Sequence, residues 1–380
     1  MKLLTHADIY SPKYLGPQNI LIGGGKILAI SSSDIQFQGL DDIEIVDFRD
    51  HKIIPGLIDC HTHITGGGGE SGFSSQIDKV PASEFSCCGV TTVVGLLGTD
   101  DTTRSTENLI ARVYGLREQG LSAFCWTGGY HFPLTTLTGQ AKRDMVFMEP
   151  VIGIGEFALS DHRSSQPTFE EVVRLASEAH VAGLITGKAG VIHFHMGDGS
   201  RKFDLIKKAL TETEIPPRVF HPTHINRNLE LFQQSNELID LGCYVDITAF
   251  PKGTAEPGIE ADEAILQFID KGVSLSQITV SSDGGGCLPV FDEQGNMIKM
   301  DRGSSSTLIE TLSSLLSKGQ SLETVLPLFT ANVAKLLRFQ GKGVIEKDAD
   351  ADLVVLNENN KISDVIGGGQ WFVREGKPVK

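Results

Sequence analysis

The sequence predicts an α/β protein, a (β/α)8 TIM barrel joined to a small β-sandwich domain formed from both chain termini. Short apolar runs of strand length alternate with amphipathic helical segments from about residue 53 onwards. Eight such runs can be counted, the number that closes a (β/α)8 barrel. Both chain ends instead show strands and glycine turns. The predicted division is 1–52 and 341–380 for the β domain and 53–340 for the barrel.

The two chain ends have the pattern of short β-strands. Asn19–Ile22 and Ile27–Ile30 flank a glycine turn, a pattern typical of a hairpin. Near the C-terminus, Ala351–Leu356 and Gln370–Val373 are predicted to be further strands. Neither end is long enough to bury a core alone, so we expect the two ends to form one domain.

The central segment contains the predicted barrel strands, each an apolar run bounded by Gly, Pro or polar residues. They are Ile53–His63, Gly89–Leu97, Leu121–Trp126, Val151–Glu156, Val191–His195, Arg218–His224, Cys243–Thr248 and Gln277–Asp283. Amphipathic helices separate most of them, and Thr168 followed by Glu170 and Glu171 marks one helix start. The active site of such a barrel lies at the C-terminal ends of its strands.

The amino-acid composition argues against some classes of binding partner. Of the 380 residues, 40% are hydrophobic and 21% charged, which is ordinary for a globular protein. The net charge of −15 argues against nucleic acid or an anionic membrane as a partner. No apolar stretch is long enough to cross a bilayer. Six cysteines without metal-finger spacing, and no signal-peptide pattern at Met1–Asp8, predict a reducing cytoplasm.

Residues of metal-ligand type end five of the eight predicted strands. His61 and His63 are spaced i, i+2 on the first strand, so both project from one face, and a glycine run follows them. The others are Glu156 on the fourth strand, His195 on the fifth, His224 on the sixth and Asp283 on the eighth. Four imidazoles and two carboxylates at one barrel mouth suit two divalent metals that share a carboxylate and a water. Asp283 would then take a proton from the attacking hydroxide and pass it to the leaving nitrogen.

With these residues in place, the chain resembles the amidohydrolase superfamily over nearly its whole length, and within it the isoaspartyl (β-aspartyl) dipeptidases. The widely shared motif is Pro55-Gly56-Leu57-Ile58-Asp59-Cys60-His61-Thr62-His63. The other motifs that carry the resemblance are Gly66–Glu70, Gly95–Asp100, Thr127–His131, Ser160–Ser164, Phe194–Asp198, Thr223–Asn228 and Ser281–Gly284.

The resemblance implies a binuclear zinc peptidase that hydrolyses the β-aspartyl bond of dipeptides by a metal-bridging hydroxide. Two zinc ions per chain would be bridged by Glu156 and that hydroxide. The implied metal ligands are His61, His63, Glu156, His195, His224 and Asp283. Tyr130 would donate to the scissile carbonyl as negative charge develops on it. A large homo-oligomer, such as an octamer, is also implied.

The resemblance also implies how a dipeptide with one amine and two carboxylates would be held. Glu70 and Thr99 would bind the free amino group. Arg163 and Arg227 would pair with the carboxylates, for which a guanidinium is a natural receptor.

The chain departs from the family pattern at two positions. Where the family more often has a carbamylated lysine at the end of the fourth strand, this chain has Glu156. Where the family tends to have a substrate-contacting serine after the Asp-Gly-x-Gly turn, this chain has Cys287. The first change keeps a bridging carboxylate, and the second leaves fine specificity open.

Three further residues have structural interpretations. His193 shares a strand face with His195 but lies one layer deeper, which predicts a core histidine. His221 falls on the opposite strand face from His224 and is predicted to be structural. Lys188 begins a strand and is interpreted as a solvated or capping lysine rather than a carbamylated one.

Alternative functions remain open from sequence alone. A cyclic amidase of the dihydroorotase or hydantoinase type would share the metal site, as would an N-acyl amino acid deacylase. Glu70 argues against the cyclic amidase, because cyclic amides lack a free ammonium group for that carboxylate to bind. A non-catalytic scaffold protein is a third possibility, but such a chain should have lost metal ligands, and this one keeps the full set.

Overall fold

The computed structural model of the chain describes residues 1–35, 42–254, 257–292, 294 and 297–379. In chain order the strands are β1 (Lys2–Tyr10), β2 (Tyr14–Gly23), β3 (Lys26–Ser31), β4 (Glu44–Asp47), β5 (Lys52–Pro55), β6 (Leu57–Thr62), β7 (Val90–Gly95), β8 (Ser122–Thr127), β9 (Val151–Leu159), β10 (Ile192–Met196), β11 (Phe220–Thr223), β12 (Val245–Thr248), β13 (Ile278–Ser281), β14 (Cys287–Phe291), β15 (Met297–Arg302), β16 (Leu353–Leu356), β17 (Ile362–Gly367), β18 (Gln370–Arg374) and β19 (Lys377–Pro378).

Helices lie between most of the central strands. In chain order they are α1 (Ala82–Ser86), α2 (Thr106–Glu118), α3 (Ala141–Phe147), α4 (Phe169–Thr186), α5 (Asp204–Glu212), α6 (Leu229–Asp240), α7 (Ala261–Asp270), α8 (Ser306–Ser317), α9 (Leu322–Val325) and α10 (Ala331–Leu337). The predicted start of α4 is confirmed: Thr168 and Glu171 cap it reciprocally through side chain and backbone. Among the described residues, no helix is both long enough and apolar enough to span a membrane.

Strands β6 to β13 form the barrel. Strands β6 to β11 make one parallel sheet in chain order, and β12 pairs in parallel with β13. The circle closes where the His63 N–H donates to Gly284 O over 2.8 Å, beside a parallel bridge between Thr62 and Gly284. The predicted (β/α)8 barrel is therefore confirmed, because parallel strands with helices between them have curled until the first meets the last.

Strands from the two chain ends pair in a single nine-stranded sheet outside the barrel. Along it the order is β19-β18-β17-β16-β5-β1-β2-β3, with β4 on β1. This sheet buries its own apolar cluster, which includes Ile9, Ile20, Phe48 and Leu353. The small β domain built from both termini is confirmed; the exact boundaries at 52/53 and 340/341 stay predictions.

Gly56 marks the crossing from the terminal sheet into the barrel. The run predicted as one strand is two, since β5 pairs with β16 and β6 pairs with β7. A Cβ on Gly56 would lie 2.1 Å from Thr91 Oγ1, so only glycine allows the chain this close to β7. Residues Ile53–Pro55 therefore belong to the terminal sheet by their hydrogen bonds.

Candidate active site

The six predicted metal ligands converge at the C-terminal mouth of the barrel. Glu156 lies at the centre: its Oε1 is 3.4 Å from His63 Nε2, and its Oε2 is 3.5 Å from His61 Nε2. Oε2 is also 3.3 Å from His195 Nδ1 and 3.7 Å from His224 Nε2. Asp283 Oδ1 lies 3.1 Å from His63 Nε2 and 3.4 Å from His61 Nε2. All six side chains are buried.

These atoms fit divalent metal ions. His61 Nε2, Glu156 Oε2 and Asp283 Oδ1 are buried without a hydrogen-bond partner among the described residues. Buried polar atoms are normally satisfied, so a set of orphaned atoms aimed at one point indicates a missing partner. The donors form three overlapping groups whose ligand atoms lie within 4.8 Å of one another. Imidazole nitrogens and carboxylate oxygens are donors that zinc accepts.

The charge state of the central carboxylate suits this role. Burial by itself would raise the pKa of Glu156, but the neighbouring imidazoles of His61, His195 and His224 hold it well below its usual range. A carboxylate must be deprotonated to bind a metal. Glu156 therefore presents a ready-made anion between the histidines, with no carbamylation required.

Backbone conformation just past two strand ends aims the ligands inward. His224 follows β11 with φ 59°, and Asp283 lies two residues past β13 with φ 52°. Few non-glycine residues adopt this left-handed region, and those that do are enriched at functional sites. Gly286 leaves the room needed beside Asp283, because a Cβ there would lie 2.1 Å from Asp283 Oδ1.

The second ring nitrogen of three of the predicted ligand histidines has a fixed partner. His195 Nε2 lies 3.0 Å from Asp161 Oδ2, and His224 Nδ1 lies 2.7 Å from Thr248 Oγ1. His61 Nδ1 lies 2.8 Å from His193 Nε2. Such contacts set the tautomer and orient the other nitrogen towards the predicted metal position.

Tyr130 is buried beside the ligands. Its Oη lies 2.7 Å from His195 Nδ1. Burial raises the pKa of the phenol well above its usual value, and the negative charge of Glu156 raises it further, although Arg163 opposes this. Tyr130 is therefore protonated at neutral pH and able to donate a hydrogen bond.

Two guanidinium groups face the same space. Arg163 donates to Asp161 through Nη2 over 2.8 Å and through Nε over 3.0 Å. Arg227 Nη1 lies 3.1 Å from His195 Nε2 and donates to Met196 O over 3.0 Å. Asp161 thus holds both Arg163 and His195, a role that the sequence interpretation did not assign. The sequence could have indicated this role, because Asp161 lies in the motif Ser160–Ser164 close to Arg163, which was assigned to substrate binding.

Glu70 and Cys287 contact each other on the wall of the same pocket. The Cys287 thiol lies 3.1 Å from each carboxylate oxygen of Glu70. Arg163 Nη1 lies 3.3 Å from Glu70 Oε1. Burial raises the pKa of the Cys287 thiol, and the neighbouring Glu70 charge raises it further. Cys287 is therefore a neutral thiol at the position where the family tends to have a hydroxyl.

These groups line one cavity of about 660 Å³. Thr99 lies on its wall, together with Glu70, Arg163 and Arg227. Phe250, Pro257 and Leu288 add an apolar section of wall. The structure thus places every predicted substrate-binding residue on the cavity that contains the ligand cluster.

The prediction that His221 faces away from His224 is wrong. Both rings lie inside the barrel: His221 Nδ1 is 2.9 Å from His193 Nδ1, while His224 reaches Glu156. Strand alternation fails here because β11 ends at Thr223 and His224 has left-handed backbone. His193 is buried as predicted, but it also contacts His61.

Lys188 is a capping lysine remote from the ligand cluster. Its Nζ donates to Met145 O and to Met148 O, each over 2.6 Å. These carbonyls lie at the C-terminal end of α3, where a cation is favourable. The prediction of a capping rather than a carbamylated lysine is confirmed.

Comparison with protein families gives the class. The model described as "Amidohydrolase family" matches residues 53–372, most of the chain. The chain therefore belongs to the amidohydrolase family of hydrolases, as its barrel and its cluster of histidines and carboxylates also indicate. Alignment with a curated relative, the imidazolonepropionase of Colwellia psychrerythraea, is local. It is 32% identical over 97 residues, 24% of this chain, and spans about a fifth (22%) of that protein.

Comparison with solved structures shows which members of the amidohydrolase family the chain resembles closely in sequence and fold. The β-aspartyl dipeptidase of Fervidobacterium islandicum AW-1, crystallised with the dipeptide β-Asp-Leu, is 40% identical to this chain with a TM-score of 0.93. The match covers 100% of this chain and 98% of that one. The D-hydantoinase of Bacillus sp. AR9 is 16% identical with a TM-score of 0.69, covering 100% and 96%, and shows the shared fold alone. Within its family, the chain thus groups with the β-aspartyl dipeptidases, as the sequence motifs indicated.

Proposed function

We propose that the protein is a dipeptidase that hydrolyses the β-aspartyl bond of isoaspartyl dipeptides at a binuclear zinc centre. The observation that carries the proposal is the placement of Glu70, Arg163 and Arg227 around the same cavity as the ligand cluster. These three side chains thus offer the cavity one anionic group and two cationic groups. An isoaspartyl dipeptide carries the complementary set, one ammonium and two carboxylates.

The ligand set His61, His63, Glu156, His195, His224 and Asp283 would hold the two metals, with Glu156 between them. Bound there, zinc would supply a nucleophilic hydroxide at neutral pH and would polarise the scissile carbonyl.

Two residues would act on the reacting atoms. Burial would raise the pKa of Asp283, but the neighbouring imidazoles of His61 and His63 lower it below the usual range, so Asp283 is ionised. It can therefore accept the proton of the nucleophile and deliver it to the leaving nitrogen. Tyr130 would donate its phenolic proton as a hydrogen bond to the carbonyl oxygen while negative charge grows there.

The remaining polar residues would orient the substrate. Glu70 would pair with the free ammonium group, which needs an anionic partner once it is buried. Arg163 and Arg227 would pair with the two carboxylates. Thr99 would add a hydrogen bond near the ammonium group. Cys287, beside Glu70, would contact substrate where the family tends to use a hydroxyl.

A panel of substrates tests this function against its alternatives. We expect purified protein to contain about two zinc ions per chain and to cleave β-Asp-Leu. The matched control is α-Asp-Leu, which has the same composition but places its α-amino group differently relative to the scissile bond. Dihydroorotate, hydantoin and N-acetyl-leucine test the cyclic amidase and deacylase alternatives. Faster turnover of any of these than of β-Asp-Leu would overturn the proposal, and metal-free inactive protein would support the scaffold alternative.

We further propose a cytoplasmic homo-oligomer. The six cysteines are all free in the structure, in keeping with a reducing compartment. Light scattering coupled to gel filtration measures the assembly, and a monomer at micromolar concentration would contradict the oligomer. Cell fractionation with antibody detection tests the compartment.

A further inference from the structure

A chain of buried polar side chains runs from the metal-ligand cluster to a carboxylate deeper in the barrel. His61 Nδ1 lies 2.8 Å from His193 Nε2, and His193 Nδ1 lies 2.9 Å from His221 Nδ1. His221 Nε2 lies 2.9 Å from Thr279 Oγ1, which in turn hydrogen-bonds to Asp246 Oδ1. All five side chains are fully buried. This series of hydrogen-bonded side chains therefore connects His61, a predicted metal ligand, to Asp246 without access to solvent.

The positions of the nitrogens fix the direction of this chain. If His61 binds a metal through Nε2, its proton sits on Nδ1 and is donated to His193 Nε2. His193 must then carry its proton on Nδ1 and donate to His221 Nδ1, which leaves the His221 proton on Nε2. That proton is donated to Thr279 Oγ1, whose hydroxyl proton is left for Asp246. With all three imidazoles neutral, every hydrogen-bond donor in this series faces an acceptor.

Asp246 is held as the acceptor end of the chain. Besides Thr279, it accepts hydrogen bonds from Thr223 Oγ1 over 2.6 Å and from Ser281 Oγ over 2.5 Å. The Cys60 thiol lies 3.5 Å from Oδ1. These neutral donors stabilise the carboxylate without cancelling its charge. The Asp246 carboxylate is therefore held where its charge polarises the Thr279 hydroxyl, the next group in the series.

Packing holds the middle of the chain in place. The Trp126 indole stacks on the His193 ring at 5.1 Å between centroids, with 10° between planes. The indole is itself fixed, because its N–H donates to Cys60 O over 3.0 Å. On the neighbouring strand, a Cβ on Gly155 would lie 2.9 Å from His193 Cβ. Glycine at position 155 lets β9 approach β10 closely. The His193 ring, which stacks on the Trp126 indole, therefore has little room to rotate.

We propose that His193, His221 and Thr279 are positioning residues that transmit the negative charge of Asp246 to His61 and so tighten metal binding. The proposal rests on the metal centre proposed above. Partners of the second ring nitrogen fix the tautomer of a ligand histidine and raise its basicity. Here the carboxylate acts through three intervening groups, because hydrogen bonds in series polarise one another in a low-dielectric interior. Each link is required for the effect to reach His61.

Substitution at Thr279 separates this role from simple filling of space. Thr279→Val keeps the shape and removes the hydroxyl, whereas Thr279→Ser keeps the hydroxyl. We expect Thr279→Val to weaken zinc affinity about tenfold, the lower end of the range for outer-shell partners, and Thr279→Ser to restore it. Thr92→Val is the matched control, since Thr92 is a buried barrel threonine whose hydroxyl has no hydrogen-bond partner among the described residues.

The readout is the zinc dissociation constant from chelator competition, with the visible spectrum of the cobalt-substituted protein as a second measure. Thermal melting of metal-free protein identifies variants that are folded. A folded Thr279→Val with wild-type zinc affinity and an unchanged cobalt spectrum would overturn the inference. Wild-type protein that binds no zinc or cobalt would instead overturn the proposed function. The two failures are therefore distinguishable.

A measurement on the wild-type protein tests the direction of this series of hydrogen bonds independently of metal affinity. In zinc-loaded protein with ¹⁵N-labelled histidine, long-range ¹H–¹⁵N spectra report which ring nitrogen carries a proton. We expect His221 to be protonated at Nε2 and His193 at Nδ1. Spectra of His221→Asn identify the His221 signals. A His221 ring protonated at Nδ1 would reverse the chain and contradict the proposal.

Discussion

Tyr130 Oη lies 2.7 Å from His195 Nδ1, the ring nitrogen that faces Glu156. The phenol is thereby held at the edge of the ligand cluster, where the carbonyl oxygen of a bound amide would develop negative charge. Its raised pKa keeps the proton in place for donation. The contact between these two residues, which are distant in sequence, thus places the Tyr130 phenol, a hydrogen-bond donor, beside the proposed metal centre.

Replacing Tyr130 by phenylalanine should lower kcat for β-Asp-Leu by about a hundredfold or more, the usual effect of losing one oxyanion donor. Zinc content should not change, because Tyr130 is not among the predicted ligands. Tyr244→Phe is the control, as Tyr244 is a buried tyrosine that does not line the cavity. Near-normal kcat in Tyr130→Phe would remove this residue from the mechanism.

Glu70→Gln should reduce kcat/KM for β-Asp-Leu at least about thirtyfold, because losing one partner of a buried charge pair costs about 2 kcal/mol or more. Steady-state kinetics measures the loss, and metal analysis should show unchanged zinc. Arg163 and Cys287 keep the glutamine in a similar place, since both contact Glu70 in the structure. Full activity of the variant would show that Glu70 does not bind the ammonium group.

Assembly of the two-zinc enzyme should be independent of bicarbonate. Glu156 already supplies the carboxylate that a carbamylated lysine would otherwise provide, and its two oxygens face different histidines. Titration of metal-free protein with zinc in carbonate-free buffer should therefore restore full activity. Glu156→Ala should lose zinc and activity together. Activity that appears only after bicarbonate is added would indicate a carbamylated lysine and refute the assignment.

Cys287 should be alkylated slowly at neutral pH. Its raised pKa leaves little thiolate, the form that reacts, so the rate with iodoacetamide should rise about tenfold per pH unit from pH 7 to 9 without levelling. Glu70→Gln removes a cause of the raised pKa and should speed the reaction. Mass spectrometry of the peptide that contains Cys287 gives the rate, with Cys287→Ser as the blank. Rapid modification at pH 7 would be incompatible with the buried pairing to Glu70.

Asp161 should make metal-free stability sensitive to acid. Burial would raise its pKa, but hydrogen bonds from His195 and Arg163 lower it far below its ordinary value of 3.8. Unfolded chains therefore take up a proton below about pH 4 while folded chains do not, so stability is present above that pH and is lost as pH falls. Compared with Asp161→Asn, wild type should be more stable at pH 6, and urea unfolding should show the difference shrinking towards pH 3. A difference independent of pH would contradict the assignment.

Local sequence determined the fold and the convergence of the six predicted metal ligands. The alternation of apolar runs and amphipathic segments predicted the barrel. Strands and helices differ in the spacing of their hydrophobic residues, and this spacing can be read from neighbouring positions in the sequence. Placement of His61, His63, Glu156, His195, His224 and Asp283 at strand ends predicted their convergence, because parallel strands of a closed barrel end on one side. The motifs then connected these positions to a known family.

Only the tertiary structure decided which outer residues support the ligands. Strand alternation placed His221 on the wrong face relative to His224, because the period of two ends where the strand ends and the backbone of His224 turns left-handed. The contacts of Asp161 with His195, and of Asp246 with Thr279, join residues 34 and 33 positions apart. No local propensity encodes such pairs; they follow from the barrel closing and from the requirement that buried polar atoms find partners.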